Sequence, residues 1–127
     1  MVSLDVTNVT VVTPEQIAKL PDNQVTKLIK HMIDYYFHFS AALDHANGFP
    51  MHDPLCLGAV LQPDLITWKP AYVDVELASS LTLGATIAQF ESPGMLHAMH
   101  PNIQTSVVVN AQRFTQLYLD RIRQNKF

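Results

Sequence analysis

An α/β chain with a small antiparallel strand annex and a terminal helix is the fold class that this sequence predicts. Three observations lead there. Strand-like and helix-like segments alternate through the first half, strand-like segments dominate between Tyr72 and Asn110, and the last stretch from Ala111 returns to helical spacing. A length of 127 residues accommodates one domain with a real core. With 48% apolar and 15% charged residues and no low-complexity run, the chain is expected to be folded throughout.

The opening "SLDVTNVTVVT" is rich in β-branched residues and predicts a strand. Leu4 and Val6 share one parity and Val9 and Val11 the other, so a bulge or an abrupt end is expected near Thr7–Asn8. "TPEQIAKL" then predicts a short helix, with Thr13 as N-cap, Pro14 at the first helical position and Glu15 and Gln16 in the first turn, ended by Pro21. From Asn23 to about Leu43 the apolar residues Val25, Leu28, Ile29, Met32, Ile33, Tyr36 and Phe37 recur at helical spacing. "ANGFP" breaks that helix. A further helix is expected with Asp53 as N-cap and Pro54 at the first helical position, closed by Pro63.

After "QPDLITWKP", the alternation in "AYVDVEL" predicts a half-buried strand, "ASSLTLGAT" a connection into another short strand, and "NIQTSVVVN" the next. "AQRFTQLYLDRIRQ" reads as a terminal helix with Phe114, Leu117, Tyr118, Arg121 and Ile122 along one side. Few strands stand near the opening one to pair with it, which suggests that the chain completes something larger.

Eight basic against eleven acidic residues give a net charge of −3, and only Arg121, Arg123 and Lys126 cluster. That argues against nucleic acid as a partner, since phosphate binding needs concentrated basic surface. Cations at the end of a helix instead complement its dipole. A single cysteine, Cys56, excludes an internal disulfide, and there is neither a leader-like segment nor an apolar run of membrane-spanning length. A soluble, cytoplasmic protein with no membrane partner is expected.

Four groupings carry chemically active side chains. His31, Asp34 and His38 fall within about 60° of arc on one helical side, where a metal site competes with an ordinary solvated face or subunit contact. His97 and His100 in "LHAMHPN" stand in the same position. Cys56 follows His52 by one helical turn, the spacing of a thiol and a base, but no orienting third residue is apparent and a free cysteine is commonly a small hydrophobe. His52 and Asp53 are different, because adjacent residues at a loop-to-helix junction can both aim into a cleft. There a carboxylate can cap the helix or bind a hard cation, and a histidine can donate a proton. From spacing alone the cap and its neighbour is the leading reading.

Taken together, "VSLDVTNVTVVTPEQIAKL", "HDPLCLGAVLQPDLI" and "YVDVELASSLTLGAT" resemble, in order and spacing, the C-terminal part of the inosine–uridine-preferring nucleoside hydrolase family. The likeness runs along nearly the whole chain. It implies that residues 1–127 are a single partial domain, the C-terminal portion of a Rossmann-like nucleoside hydrolase fold. It also implies Ca²⁺-dependent hydrolysis of the N-glycosidic bond of ribonucleosides, with Asp53 as a Ca²⁺ ligand and His52 as a proton donor to the departing base.

The family's aspartate-rich "DTDPGxDD" stretch and its ribose-gripping middle segment have no counterpart here. The resemblance therefore implies a chain inactive by itself, with an N-terminal half that completes the site, or a homo-oligomer, as its expected partner. The alternative is a non-catalytic interaction module that keeps the family fold and offers Tyr35, His38 and Phe39 of the long helix to a partner.

Overall fold

The computed structural model describes residues 1–41, 48–92 and 99–124. Ten elements follow in chain order: α1 (Leu4–Thr7), β1 (Val11–Val12), α2 (Pro14–Ala18), α3 (Gln24–Ala41), β2 (Phe49–Pro50), α4 (His52–Leu61), β3 (Ile66–Val75), β4 (Thr86–Phe90), β5 (Ile103–Val109) and α5 (Ala111–Gln124), with a 3-10 turn at Pro63–Leu65. The class is mixed α/β, and its strand pairs are all antiparallel among the described residues.

The opening segment departs from the expected strand. Residues Leu4–Thr7 form one helical turn, and only Val11 and Val12 are extended, paired with Pro50 and Phe49 of β2. The reason lies in the threonines. The Thr10 hydroxyl donates to the carbonyl of Val6 at 2.9 Å and that of Thr7 approaches the carbonyl of Leu4 at 3.5 Å, so side chains satisfy acceptors that a strand would leave for a neighbour. The parity slip at Thr7–Asn8 marks where this turn ends.

The helix at Pro14 forms as its sequence demands. Thr13 accepts from the Gln16 backbone N–H while the Gln16 side chain accepts from the Thr13 N–H, a reciprocal cap with proline in the first turn. Asn23 and Thr26 exchange the same kind of bonds at the head of α3, and the buried Thr26 hydroxyl also contacts the Pro21 carbonyl. The expected extension of α3 to Leu43 falls outside the described residues. Along α3, Ile33 is buried but Leu28, Met32 and Tyr36 are exposed, so much of the predicted apolar stripe faces outward.

Helix α4 begins two residues earlier than predicted: Met51, not Asp53, is its N-cap, and Asp53 lies inside the first turn. The cause is tertiary. The Met51 N–H donates to the Thr10 carbonyl at 2.8 Å, which fixes the chain at the β2 exit, and its carbonyl then accepts from Leu55 N–H. Gly48 sets up this approach. Its φ is +147°, and a Cβ there would stand 2.5 Å from the Val12 carbonyl oxygen.

Strand β3 is longer than predicted and is the centre of a three-stranded sheet ordered β4-β3-β5. Pro70 is tolerated within it because pairing with β4 starts only at Ala71, leaving Pro70 with a single neighbour, β5. The far end of the β3–β4 hairpin projects from the body: Val75, Leu77 and Ile87 are exposed, so the alternation there does not correspond to a buried face. The backbone of residues 1–3 runs beside β5, with Ser106 N–H donating to the Met1 carbonyl at 3.0 Å. Val6, Val12, Ile17, Ile33, Met51, Leu55, Ile66, Phe114 and Ile122 join the helices and β1–β2 in one buried cluster. No helix among the described residues is long and apolar enough to cross a membrane.

Candidate functional site

The β2–α4 junction is held by backbone bonds on one side and by core packing of Met51 and Leu55 on the other. This rigidity presents His52 and Asp53 side by side on the first turn of α4, His52 half-buried and Asp53 exposed. Both line a solvent-open cavity of about 350 Å³ whose other walls are Met32 and Tyr36 of α3, Phe49 of β2 and Tyr118 of α5. The walls are apolar and aromatic, with Tyr36 and Phe49 in an edge-to-face contact at 6.5 Å. Burial pushes the Tyr118 phenol above its ordinary value, so it stays a neutral donor and acceptor.

His52 is anchored. Its Nδ1 lies 2.7 Å from the Thr7 hydroxyl, across a separation of 45 residues. Thr7 is buried, whereas the sequence predicts a strand there and gives it no part in the site. The signal available was the parity slip at that same threonine. In the sequence Tyr36 and Tyr118 stand out only as helix-face residues. Their convergence on His52 depends on how α3 and α5 pack.

Asp53 provides at most two carboxylate oxygens, whereas Ca²⁺ takes roughly six to eight. Among the described residues no three His, Cys, Asp or Glu side chains converge as a metal site requires. The residues present therefore fit one ligand position of a hard cation rather than a whole site. His31 and Asp34 are exposed on α3, while the His38 and Phe39 side chains and all of His97 lie outside the described residues. Tyr35 is exposed, as the interaction-module alternative expects. Cys56 is exposed on α4 rather than buried, and the Nδ1 of His52 is engaged by Thr7 rather than by the thiol.

A family model described as inosine-uridine preferring nucleoside hydrolase matches residues 1–116. The inosine-uridine preferring nucleoside hydrolase of Crithidia fasciculata is 31% identical over 124 residues, which are 96% of this chain and 38% of that protein. A non-specific ribonucleoside hydrolase, RihC, of Escherichia coli is 32% identical over 117 residues, covering 91% of this chain and 36% of its own length. Among solved structures, the purine-preferring ribonucleoside hydrolase from Gardnerella vaginalis superposes with a TM-score of 0.81 at 28% identity, over 97% of this chain and 39% of that one. The plant nucleoside hydrolase PpNRh1 shares the fold with a TM-score of 0.86 at 18% identity, covering 96% of this chain and 40% of its own. The chain thus spans 36% to 40% of the length of these relatives.

Proposed function

Because this chain belongs to the inosine-uridine preferring nucleoside hydrolase family, we propose that it is a C-terminal segment of a Rossmann-like, Ca²⁺-dependent nucleoside hydrolase. In this reading residues 1–127 are one partial domain that contributes His52 and Asp53 to a site completed by residues outside them. The observation that carries the reading is the placement of that pair at the lip of an aromatic-walled cavity, with the imidazole already tied down through Nδ1.

The chemistry suits those side chains. Hydrolysis breaks the bond between the anomeric carbon and a base nitrogen, and the electron pair leaves with the base. A proton delivered from Nε2 of His52 neutralises the departing nitrogen, while the oxygen of water bonds to the anomeric carbon and releases its proton. Asp53, exposed beside His52, is available to bind a cation from one side only. Ca²⁺ held in part by Asp53 would supply a hold on ribose hydroxyls and would polarise the attacking water. The flat walls formed by Tyr36, Phe49 and Tyr118 suit a planar nucleobase, which leaves the ribose nearest the His52–Asp53 pair.

The test is release of free ribose from inosine and uridine with Ca²⁺ present. The purified 127-residue chain is expected to release none, because one carboxylate cannot assemble the metal site or activate water. Ca²⁺-dependent release by the chain alone would show that the catalytic groups lie elsewhere in it.

A further inference from the structure

We propose that Thr7 is the positioning residue for His52, holding the imidazole in the tautomer that leaves Nε2 as the proton-transferring atom. This rests on the reading of His52 as the proton donor. Three observations combine. The Thr7 hydroxyl lies 2.7 Å from Nδ1 of His52, too short for chance proximity. Thr7 is 3% exposed, so water does not compete for that bond. A second acceptor, the Leu4 carbonyl, lies 3.5 Å from the same hydroxyl on the preceding turn.

A threonine hydroxyl has one proton to give and two lone pairs with which to accept. Threonine in a helical turn habitually directs its proton to a carbonyl three or four residues back. We assign the Thr7 proton to Leu4, so that its oxygen accepts from His52 and Nδ1 carries the hydrogen. The tautomer of one ring nitrogen is set by the bond that the other makes. After Nε2 has handed its proton to a departing base, the neutral ring is then left with its remaining proton on Nδ1, already paired. If Thr7 donated instead, the neutral ring would hold its proton on Nε2, and giving that proton away would leave an imidazolate.

Packing supports a dedicated role. Val6 and Thr7 are buried beside the α4 junction, and Thr10, three residues past the end of α1 and bonded back to it, accepts through its carbonyl from Met51 N–H, which ties α1 to the head of α4. His52 lines the cavity and Thr7 does not, so the anchor sits outside the space where a ligand would bind.

The experiment is nitrogen-15 NMR of the full 127-residue chain carrying labelled histidine, in alkaline solution where imidazoles are neutral. The His52 signal is assigned by its loss in His52→Gln. Wild type and Thr7→Ser, which keeps the hydroxyl, are expected to carry the proton on Nδ1. Thr7→Val, isosteric but without the hydroxyl, is expected to shift it to Nε2, the tautomer that an unconstrained imidazole prefers. In the complete enzyme the same Thr7→Val change should lower kcat by about ten- to a hundredfold with KM unchanged, and Thr7→Ser should restore it. A wild-type spectrum with the proton on Nε2 overturns the proposal whatever the variants do, as does a kcat indifferent to Thr7→Val. The spectrum is independent of hydrolysis, so a failed anchor and a failed assignment of the activity are told apart.

Discussion

A Cβ placed on Gly58 would stand 2.5 Å from Cε2 of Phe114 and 2.8 Å from its Cδ2. Helices α4 and α5 meet through this glycine, and Phe114 is buried against the core cluster that also holds Leu55 at the first turn of α4. The contact therefore helps to set where His52 and Asp53 point. Gly58→Ala gains about 1 kcal/mol of helix propensity but forces the ring aside, an overpacking cost of typically 1–3 kcal/mol. A net destabilisation of up to about 2 kcal/mol is expected from urea denaturation. Phe114→Leu in the same chain should absorb the extra methyl, so that the double variant is less destabilised than the two single changes summed. Additive losses would mean that the ring already has room to swing.

Asp53 and His52 should separate cleanly in the complete enzyme, whether the remaining residues are fused to this segment or supplied by a second chain. Asp53→Ala is expected to weaken Ca²⁺ binding and to lower kcat/KM by on the order of 10³. His52→Ala should leave Ca²⁺ affinity nearly unchanged and depress turnover by roughly 10²–10⁴. The His52 loss should shrink for a p-nitrophenyl riboside, whose leaving group departs without a proton. Calorimetric Ca²⁺ titration and steady-state kinetics check both. Equal activity of wild type and Asp53→Ala at saturating Ca²⁺ would return Asp53 to the status of a first-turn helix carboxylate.

Acid should weaken the join between the 3-10 turn and α5. Arg113 donates from Nη1 to Asp64 at 2.7 Å and from Nη2 to Gln62 at 3.3 Å, and the Arg113 guanidinium holds the Asp64 carboxyl below its usual value. The folded state therefore binds the Asp64 proton less readily than the unfolded chain. The pair's contribution is present above the unfolded carboxyl value of about 3.9 and is lost as pH falls through the lower folded value. Both groups face solvent, so the effect is small and is screened by salt. Arg113→Met should lower the melting temperature slightly at neutral pH and at low salt, with the difference from wild type vanishing in strong acid. A difference that persists there would assign the loss to packing instead.

Much of the fold was legible because local chemistry decided it. Thr13, Pro14 and Gln16 satisfy one another's backbone groups within four residues, so the α2 start needs nothing from the rest of the chain. Strand β5 and helix α5 followed from a β-branched run and from apolar residues recurring at helical spacing, with Asn110 capping the join: its Oδ1 accepts from Arg113 N–H at 3.0 Å. The two misplaced elements have different causes, one local and one distant. Residues Leu4–Thr7 read as a strand, and only the back-bonding threonines and their contacts make them a turn. Asp53 read as a cap, and the bond from Met51 N–H to Thr10 moved the helix start ahead of it.

The candidate site divides in the same way. By itself the sequence determined that a histidine and an aspartate stand together at a helix entrance, because Gly48, Pro50 and Pro54 leave the chain little choice but to turn there and begin again as a helix. It determined the family too, through three motifs kept in order. Only the tertiary structure decided what surrounds the pair. Thr7 reaches His52 from 45 residues away, and Met32, Tyr36 and Tyr118 close the cavity wall from α3 and α5. Hydrogen bonds and side-chain contacts act over a few ångströms in space whatever the separation along the chain, so which partners a side chain meets is settled when helices pack and not before.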